Sequence, residues 1–155
     1  MMQKIDYKID YATSADCIFI SQLENENFSS PWSLSQIESE ILRADCYFFV
    51  ARCGSEVIGY ISGQLILDEF YISNIAVSSL YRKLGVASAL INRLLSTLSE
   101  INCVFATLEV RDSNLPARSL YKKLGFELLG KRKSFYTKPT EDACIYTYYF
   151  KNEVN

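Results

Sequence analysis

The segment that most restricts the fold is an apolar run, residues 70–77, followed after a short polar stretch by the most regular helical pattern in the chain. The run itself, FYISNIAV, is rich in the β-branched and aromatic residues that favour strands. The helical pattern has apolar residues every four positions and two more that widen the stripe: Val86, Leu90, Ile91, Leu94, Leu95 and Leu98. A helix with one apolar face must be covered by another layer, so a layered α/β protein is predicted.

Strand and helix patterns also alternate before this central segment. Apolar residues at every second position between residues 5 and 11 predict a first strand. Capping boxes that begin at Thr13 and Ser33 predict two helices after it. Two apolar runs around a glycine-containing turn, residues 46–52 and 57–67, predict a hairpin.

The remainder of the chain continues the alternation. Residues 104–110 predict a strand, and a short helix is expected to follow Asn114 and to end at Gly125. Two last strands are predicted at residues 126–129 and 144–150, with a polar and basic connection between them. The predicted order is therefore β-α-α-β-β-β-α-β-α-β-β.

Composition excludes several classes of chemistry. The chain has 155 residues, a formal net charge of -2 and no histidine. Ser-His-Asp and Cys-His nucleophile systems, and zinc sites built on histidine, are therefore excluded. The charge balance gives no global positive field for nucleic acid or an anionic membrane. We expect one domain over residues 1–155 that binds neither nucleic acid nor membrane and uses no metal.

The cysteines and the first residues indicate a cytoplasmic protein. Five cysteines, an odd number without a C-x-x-C pair, fit neither a disulfide framework nor a zinc ribbon, so reduced and mostly buried thiols are expected. The start, MMQKIDYKID, carries charges where a signal peptide needs an apolar core, and no later run is long enough for a membrane span.

The stretch Arg82–Ala87, RKLGVA, lies between the apolar run and the long helix. A glycine there permits close backbone approach, and the first N–H groups of a helix have no partner within it. The helix dipole and the two basic residues would favour a diphosphate. Taken alone, the pattern also fits an exposed basic pair before a helix, and it is neither a Walker A loop nor a G-x-G-x-x-G fingerprint.

Three motifs together resemble one family. RKLGVA is similar to the Q/R-x-x-G-x-G/A motif of the GCN5-related N-acetyltransferases, which move acetyl from acetyl-CoA to amines. NIAV at 74–77 precedes it, and N-x-x-A-x-x-L-Y-x-x-L-G-F follows from Asn114 to Phe126. The resemblance covers roughly residues 4–150 and implies a mixed sheet of about seven strands with helices on both faces.

A closer resemblance, to the bacterial ribosomal-protein-alanine N-acetyltransferases, rests on shorter segments. These are FSSPWS at 28–33, Asp68-Glu69 before NIAV, LEVR at 108–111, and Tyr136 with the later Glu-Asp-Ala. The sequence departs from the family at Ala87, where a second glycine is frequent, and at Ser78-Ser79, where Asp-Pro is frequent. Neither departure removes a donor that phosphate needs.

The resemblance implies a set of cofactor-binding residues for acetyl-CoA. Backbone groups of the strand before the loop would pair with the pantetheine arm, and the loop with the first helical turn would hold the pyrophosphate. Asn114 and Tyr121 complete the set. The implied residues are Ile75, Ala76, Val77, Arg82, Lys83, Leu84, Gly85, Val86, Ala87, Ser88, Asn114 and Tyr121.

Two of the matched positions imply catalysis by direct transfer. Glu109 resembles the general base, and strand alternation independently turns its side chain away from Leu108 and Val110. Without the resemblance, the less favoured alternative for Glu109 is a solvated carboxylate at the strand end that could pair with Arg111. Tyr121 resembles the general acid, although most of the eleven tyrosines must be structural. A covalent route through Cys103 is disfavoured because no histidine could activate it.

The implied acceptor is the N-terminal α-amino group of a protein, in particular the alanine of a small-subunit ribosomal protein. Acidic residues in the segments that flank the acceptor side would suit a basic peptide, although each could be a solubility charge: Glu24, Glu26, Asp68, Glu69, Glu141 and Asp142. A small amine, a polyamine or a lysine side chain is the alternative acceptor. A non-catalytic acetyl-CoA-binding module is the alternative of another class.

Overall fold

A computed structural model describes residues 4–151, and within them the chain forms one mixed sheet with helices on both of its faces. The elements in chain order are β1 (Lys8–Tyr11), α1 (Cys17–Asn27), α2 (Leu34–Leu42), β2 (Cys46–Cys53), β3 (Glu56–Ile66), β4 (Glu69–Val77), α3 (Val86–Glu100), β5 (Phe105–Arg111), α4 (Leu115–Lys123), β6 (Glu127–Tyr136) and β7 (Glu141–Tyr149). The strands pair in the order β1-β2-β3-β4-β5-β7-β6. The predicted fold class and element order are confirmed.

Two apolar cores lie on opposite faces of the sheet, and β2 contributes to both. Phe49 and Ala51 pack with the buried face of α3, whereas Phe48 and Val50 pack with α1 and α2. All six apolar residues that predicted α3 are buried in the first core. The alternation of β2 thus supplies side chains to both cores, and the four-residue spacing of α3 places its apolar face in the first core.

Helices α2 and α4 begin at the capping residues that the sequence predicted, and α4 ends before the predicted glycine. Ser33 Oγ accepts a hydrogen bond from the Gln36 N–H at 3.1 Å, and the Gln36 side chain accepts one from the Ser33 N–H at 2.8 Å. Asn114 caps α4 by accepting from the Ala117 N–H at 3.3 Å. Gly125 adopts φ +98° just beyond α4, a left-handed conformation that glycine reaches without strain.

Strands β4 and β5 run parallel, but they pair only over Glu69–Tyr71 and residues 105–107. Beyond that point the register between β3 and β4 skips Ser73, so Ser73 is the extra residue of a β-bulge. The bulge reverses which side chains face which layer: Ile72 belongs to the α3 core, whereas Ala76 belongs to the α1–α2 core. Among residues 4–151, no strand pairs with β4 on its β5 side from the bulge onward.

Two predicted boundaries are wrong. The first strand begins at Lys8, because only its second half pairs with β2. The polar connection predicted between the last two strands is largely strand, since β6 continues to Tyr136. β6 is the edge of the sheet and nearly all its side chains are exposed, so its sequence lacks the apolar alternation of a half-buried strand.

Candidate functional site

A cavity of about 580 Å³ opens where β4 and β5 diverge. Its walls come from five places in the chain: the loop between α1 and α2, the bulged part of β4, the end of β5, helix α4 with its N-cap, and the end of β6 with the turn after it. Glu109, Asn114 and Tyr121 all line it, together with Ile75. The bulge and the early end of β4–β5 pairing create this space, because paired strands would leave no gap between them.

Glu109 lies on the open face of β5, between the buried Leu108 and Val110, as alternation predicted. Its side chain is 30% exposed, and its Oε1 lies 3.3 Å from Nε of Arg132 on β6. The alternative pairing with Arg111 is wrong, because Arg111 pairs with Glu141 instead. Glu109 thus presents a half-buried carboxylate to the cavity with one exposed cation beside it.

Tyr121 lies in the second turn of α4 and is 4% exposed. Its ring packs against Phe126 and Tyr146, with centroids 5.7 Å and 5.9 Å away. Burial raises the pKa of the Tyr121 phenol, and Tyr136 adds a smaller effect in the same direction. Tyr121 therefore keeps its proton well above neutral pH and presents it at the wall of the cavity.

The wall on the α1 side is held by Glu24, which is fully buried. Its carboxylate accepts hydrogen bonds from the Trp32 N–H at 2.9 Å, from Asn74 Nδ2 at 2.6 Å and from the Tyr60 hydroxyl. These contacts join the α1–α2 loop to the bulged part of β4. Glu24 is thus part of the frame of the cavity and offers no free charge to an acceptor.

Three of the other acidic residues named from the sequence also accept hydrogen bonds, and none of the three lines the cavity. Glu26 accepts from the Ser79 N–H at 2.7 Å, and Glu69 accepts from the Tyr71 hydroxyl at 2.7 Å. Glu141 accepts from the Ser113 N–H at 2.6 Å. These carboxylates are thus engaged within the protein and do not form the cavity wall.

A second cavity of about 330 Å³ lies at the N-terminus of α3. Gly85 is the N-cap in a left-handed conformation with φ +84°, and no side chain of the described residues caps the helix. Lys83 is also left-handed, with φ +62°, and its side chain and that of Arg82 are exposed. The first N–H groups of α3 therefore open onto a cavity with two cations at its rim.

Most of the predicted cofactor residues line one of the two cavities. Val77, Arg82, Lys83, Gly85, Val86, Ala87 and Ser88 line the second cavity, while Ile75, Asn114 and Tyr121 line the first. Ala76 and Leu84 line neither, and the Ala76 side chain is buried against α1 and α2. Ile75 and Val77 lie in the part of β4 that does not pair with β5. One end of this part of β4 lines the first cavity, and the other end lines the second.

Several residues that complete the first cavity received no role in the site from the sequence, although Asn74 and Tyr136 lie in the motifs that carry the resemblance. The bulged Ser73 was not predicted, because a bulge leaves no mark in the apolar pattern. Phe135, Tyr136 and Thr137 line the opposite wall from the end of β6. The signal that could have found this wall is the aromatic pair at 135–136, which is isolated within a polar stretch.

Cys103 lies away from this chemistry. It is buried before the start of β5, and its Sγ donates to the carbonyls of Asp68 and Phe105. Burial raises the pKa of its thiol. In the described part of the chain, no group of three or more potential metal-ligating side chains is placed to hold an ion, and no helix there is long and apolar enough to cross a membrane.

Residues 17–126 match the model of the acetyltransferase (GNAT) family. A ribosomal protein bS18-alanine N-acetyltransferase of Haemophilus influenzae is 31% identical over 132 residues, which are 83% of this chain and 88% of the relative. The crystal structure of the ribosomal-protein-S18-alanine N-acetyltransferase from Escherichia coli superposes with a TM-score of 0.88 at 27% identity, covering 96% of this chain and 97% of the other.

A second solved structure, Arabidopsis thaliana NAA60 in complex with acetyl-CoA, shares the fold at 21% identity. The TM-score is 0.85, and the match covers 94% of this chain and 100% of the other. The fold of this chain, a mixed seven-stranded sheet with helices on both faces, is therefore shared with these proteins.

Proposed function

The chain belongs to the acetyltransferase (GNAT) family and is an acetyltransferase, and we propose that it moves the acetyl group of acetyl-CoA directly to the N-terminal α-amino group of a protein. The observation that carries the proposal is the cavity between β4 and β5. It brings a half-buried carboxylate, Glu109, and a protonated phenol, Tyr121, to one space beside the unpaired edge of β4.

The residues of the second cavity fit the anionic part of acetyl-CoA. The uncapped first turn of α3 supplies backbone N–H donors, and the exposed side chains of Arg82 and Lys83 supply two charges. Between the cavities, the unpaired edge of β4 offers backbone groups to an extended arm, as another strand would. When bound there, acetyl-CoA supplies an acetyl group activated as a thioester.

We propose Glu109 as the general base for the acceptor amine. An amine attacks only in its neutral form, and an α-amino group has a pKa of about 7.7–8.0, so a modest base is sufficient near neutral pH. A lysine side chain, at about 10.4, would require more. A carboxylate acting directly or through one water suits the first task, which is consistent with a chain that has no histidine.

We propose Tyr121 as the general acid. The phenol is protonated at neutral pH, and no hydrogen bond within residues 4–151 engages its hydroxyl. The proton is therefore available to the sulfur that leaves as the acetyl group moves. Glu109 on β5 and Tyr121 on α4 approach from different elements, so the acid and the base need not exchange the same proton.

The acceptor that we propose is an N-terminal alanine of a small-subunit ribosomal protein. The proposal is supported by relatives with that activity in their names and by the match of 27% identity over nearly the whole chain. In this chain the α1–α2 loop and the turn after β6 both line the cavity. A chain terminus can enter between two such walls without unfolding the rest of the acceptor.

Purified protein incubated with acetyl-CoA and a peptide panel tests the proposal. The panel contains peptides that differ in their first residue, a peptide with a blocked N-terminus and an internal lysine, and spermidine, with products read by mass spectrometry. Acetyl only on the α-amino group of the Ala-starting peptides is the expected result. Acetyl on lysine or spermidine with none on any α-amino group would refute the proposed acceptor class.

A further inference from the structure

Arg111, the last residue of β5, makes an unusual number of contacts with one turn of the chain. Its Nη2 donates to the Thr137 carbonyl at 2.9 Å, and its Nη1 donates to the Pro139 carbonyl at 2.9 Å. The same Nη1 lies 3.3 Å from Oε1 of Glu141. The guanidinium also lies 4.6 Å from the ring centroid of Tyr136. One side chain thus contacts four of the residues between 136 and 141.

The segment that Arg111 contacts is joined to the hairpin by one paired position, Tyr136 with Glu141, next to an irregular stretch. The β6–β7 register is irregular between Arg132 and Tyr136, so the residues between them have no regular partners in β7. The carbonyls of Thr137 and Pro139 lie in the turn, where strand pairing does not extend. A bidentate guanidinium satisfies both carbonyls at once and fixes their separation.

This segment forms the cavity wall opposite the α1–α2 loop, through Phe135, Tyr136 and Thr137. Arg111 follows Glu109 by two residues on the same face of β5. Strand β5 therefore carries both Glu109, the proposed base, and Arg111, which contacts the opposite wall. The two hydrogen bonds from Arg111 to the turn carbonyls therefore contribute to the position of the turn relative to Glu109.

We infer that Arg111 is a positioning residue that holds the turn of residues 136–139 against the end of β5 and so sets the width of the acceptor entrance. The inference rests on the proposed function for the identity of that entrance. It does not require Arg111 to touch the acceptor or the cofactor. A lysine could keep the charge near Glu141 but could not donate to both carbonyls in the same planar geometry.

The test compares Arg111→Met and Arg111→Lys with a matched control, Lys131→Met. Lys131 lies on the same hairpin and pairs with Asp112 at 2.9 Å, but it lines neither cavity. For each protein, the KM for an Ala-starting peptide, kcat, and the Kd for acetyl-CoA by calorimetry are measured. In addition, hydrogen exchange follows the backbone amides between residues 134 and 140.

Arg111→Met is expected to raise the peptide KM about tenfold and to leave the acetyl-CoA Kd within about twofold, because only the acceptor wall is released. Exchange between residues 134 and 140 is expected to accelerate about tenfold, with Arg111→Lys between Arg111→Met and the unchanged protein. Lys131→Met is expected to change none of these values appreciably.

An unchanged peptide KM, a parallel rise in the acetyl-CoA Kd, or an equal effect in Lys131→Met would overturn the inference. If Arg111→Met does not fold, Arg111→Lys decides by the same readouts. The exchange measurement needs no acceptor. If the unchanged protein acetylates no peptide, the proposed function fails, while unaltered exchange in Arg111→Lys would refute the positioning role separately.

Discussion

Replacing Tyr121 by phenylalanine separates the proposed acid from the packing of its ring. The substitution removes only the hydroxyl, and the ring keeps its contacts with Phe126 and Tyr146 at 5.7 Å and 5.9 Å. No hydrogen bond among the described residues is lost, so the free energy of unfolding should change by less than about 0.5 kcal/mol. Loss of a general acid lowers the rate by about a hundredfold or more, which corresponds to about 2.7 kcal/mol in the barrier.

The assay measures kcat with saturating acetyl-CoA and peptide, the Kd for acetyl-CoA, and the melting temperature of each protein. Tyr146→Phe is the matched control, because it removes the hydroxyl of a neighbouring buried ring that bonds to Arg118 and lines neither cavity. Its kcat should stay within about twofold of the unchanged protein. A kcat for Tyr121→Phe within about threefold of the unchanged protein would remove Tyr121 from the acid role.

Three further substitutions address the frame, the cofactor loop and the response to acid. In Gly63→Ala the new Cβ would lie 2.4 Å from both the Tyr71 carbonyl oxygen and the Phe70 ring, so we expect a loss of about 3 kcal/mol and a melting temperature lower by about 6–12 °C. In Gly85→Asp the positive φ and the added negative charge should raise the acetyl-CoA Kd at least about tenfold, with a smaller effect on kcat. Hydrogen bonding, chiefly from Ser113, lowers the pKa of the Glu141 carboxyl. The ionised carboxylate therefore stabilises the fold above about pH 4.5, and this stabilisation is lost as pH falls through the folded-state pKa. In Glu141→Gln the unfolding free energy should depend less on pH across that range.

The chain offers a control variant for each of the two glycine substitutions. Gly130→Ala meets no atom within 4 Å and should change the unfolding free energy by less than about 0.5 kcal/mol. Gly54→Asp has a similarly positive φ of 62° in the β2–β3 turn and should leave the acetyl-CoA Kd unchanged. Equal effects in a variant and its control would show that the local geometry is not the cause. An acid dependence that persists unchanged in Glu141→Gln would place it on other carboxyls.

The parts of the fold that sequence predicts well are those in which neighbouring residues decide the outcome. The stripe of α3 and the capping box at Ser33 are local patterns, and both appear in the structure as expected. The bulge at Ser73 is different, because it depends on how β3 and β4 pair across the sheet. The start of edge strand β6 was predicted, but its continuation to Tyr136 was not, because side chains that face solvent need no apolar alternation.

The same distinction applies to the site. Glu109 and Tyr121 lie in recognisable motifs, and the structure places both on one cavity. The contacts that complete the cavity are long-range, such as Glu24 with Asn74 and Arg111 with Thr137. Nothing in the sequence near Arg111 indicates that its partners lie more than twenty residues away. Those partners are in the β6–β7 turn, and the apolar pattern does not predict where that turn lies.

The proposed function requires that one molecule of the protein holds acetyl-CoA and a protein N-terminus in its two cavities at the same time. It is tested most directly by calorimetry with a conjugate in which CoA is joined through an acetyl linker to the α-nitrogen of an Ala-starting peptide. The account predicts binding at least about a hundredfold tighter than that of CoA alone, and tighter than that of a conjugate joined through a lysine side chain. An affinity no greater than that of CoA alone would contradict it.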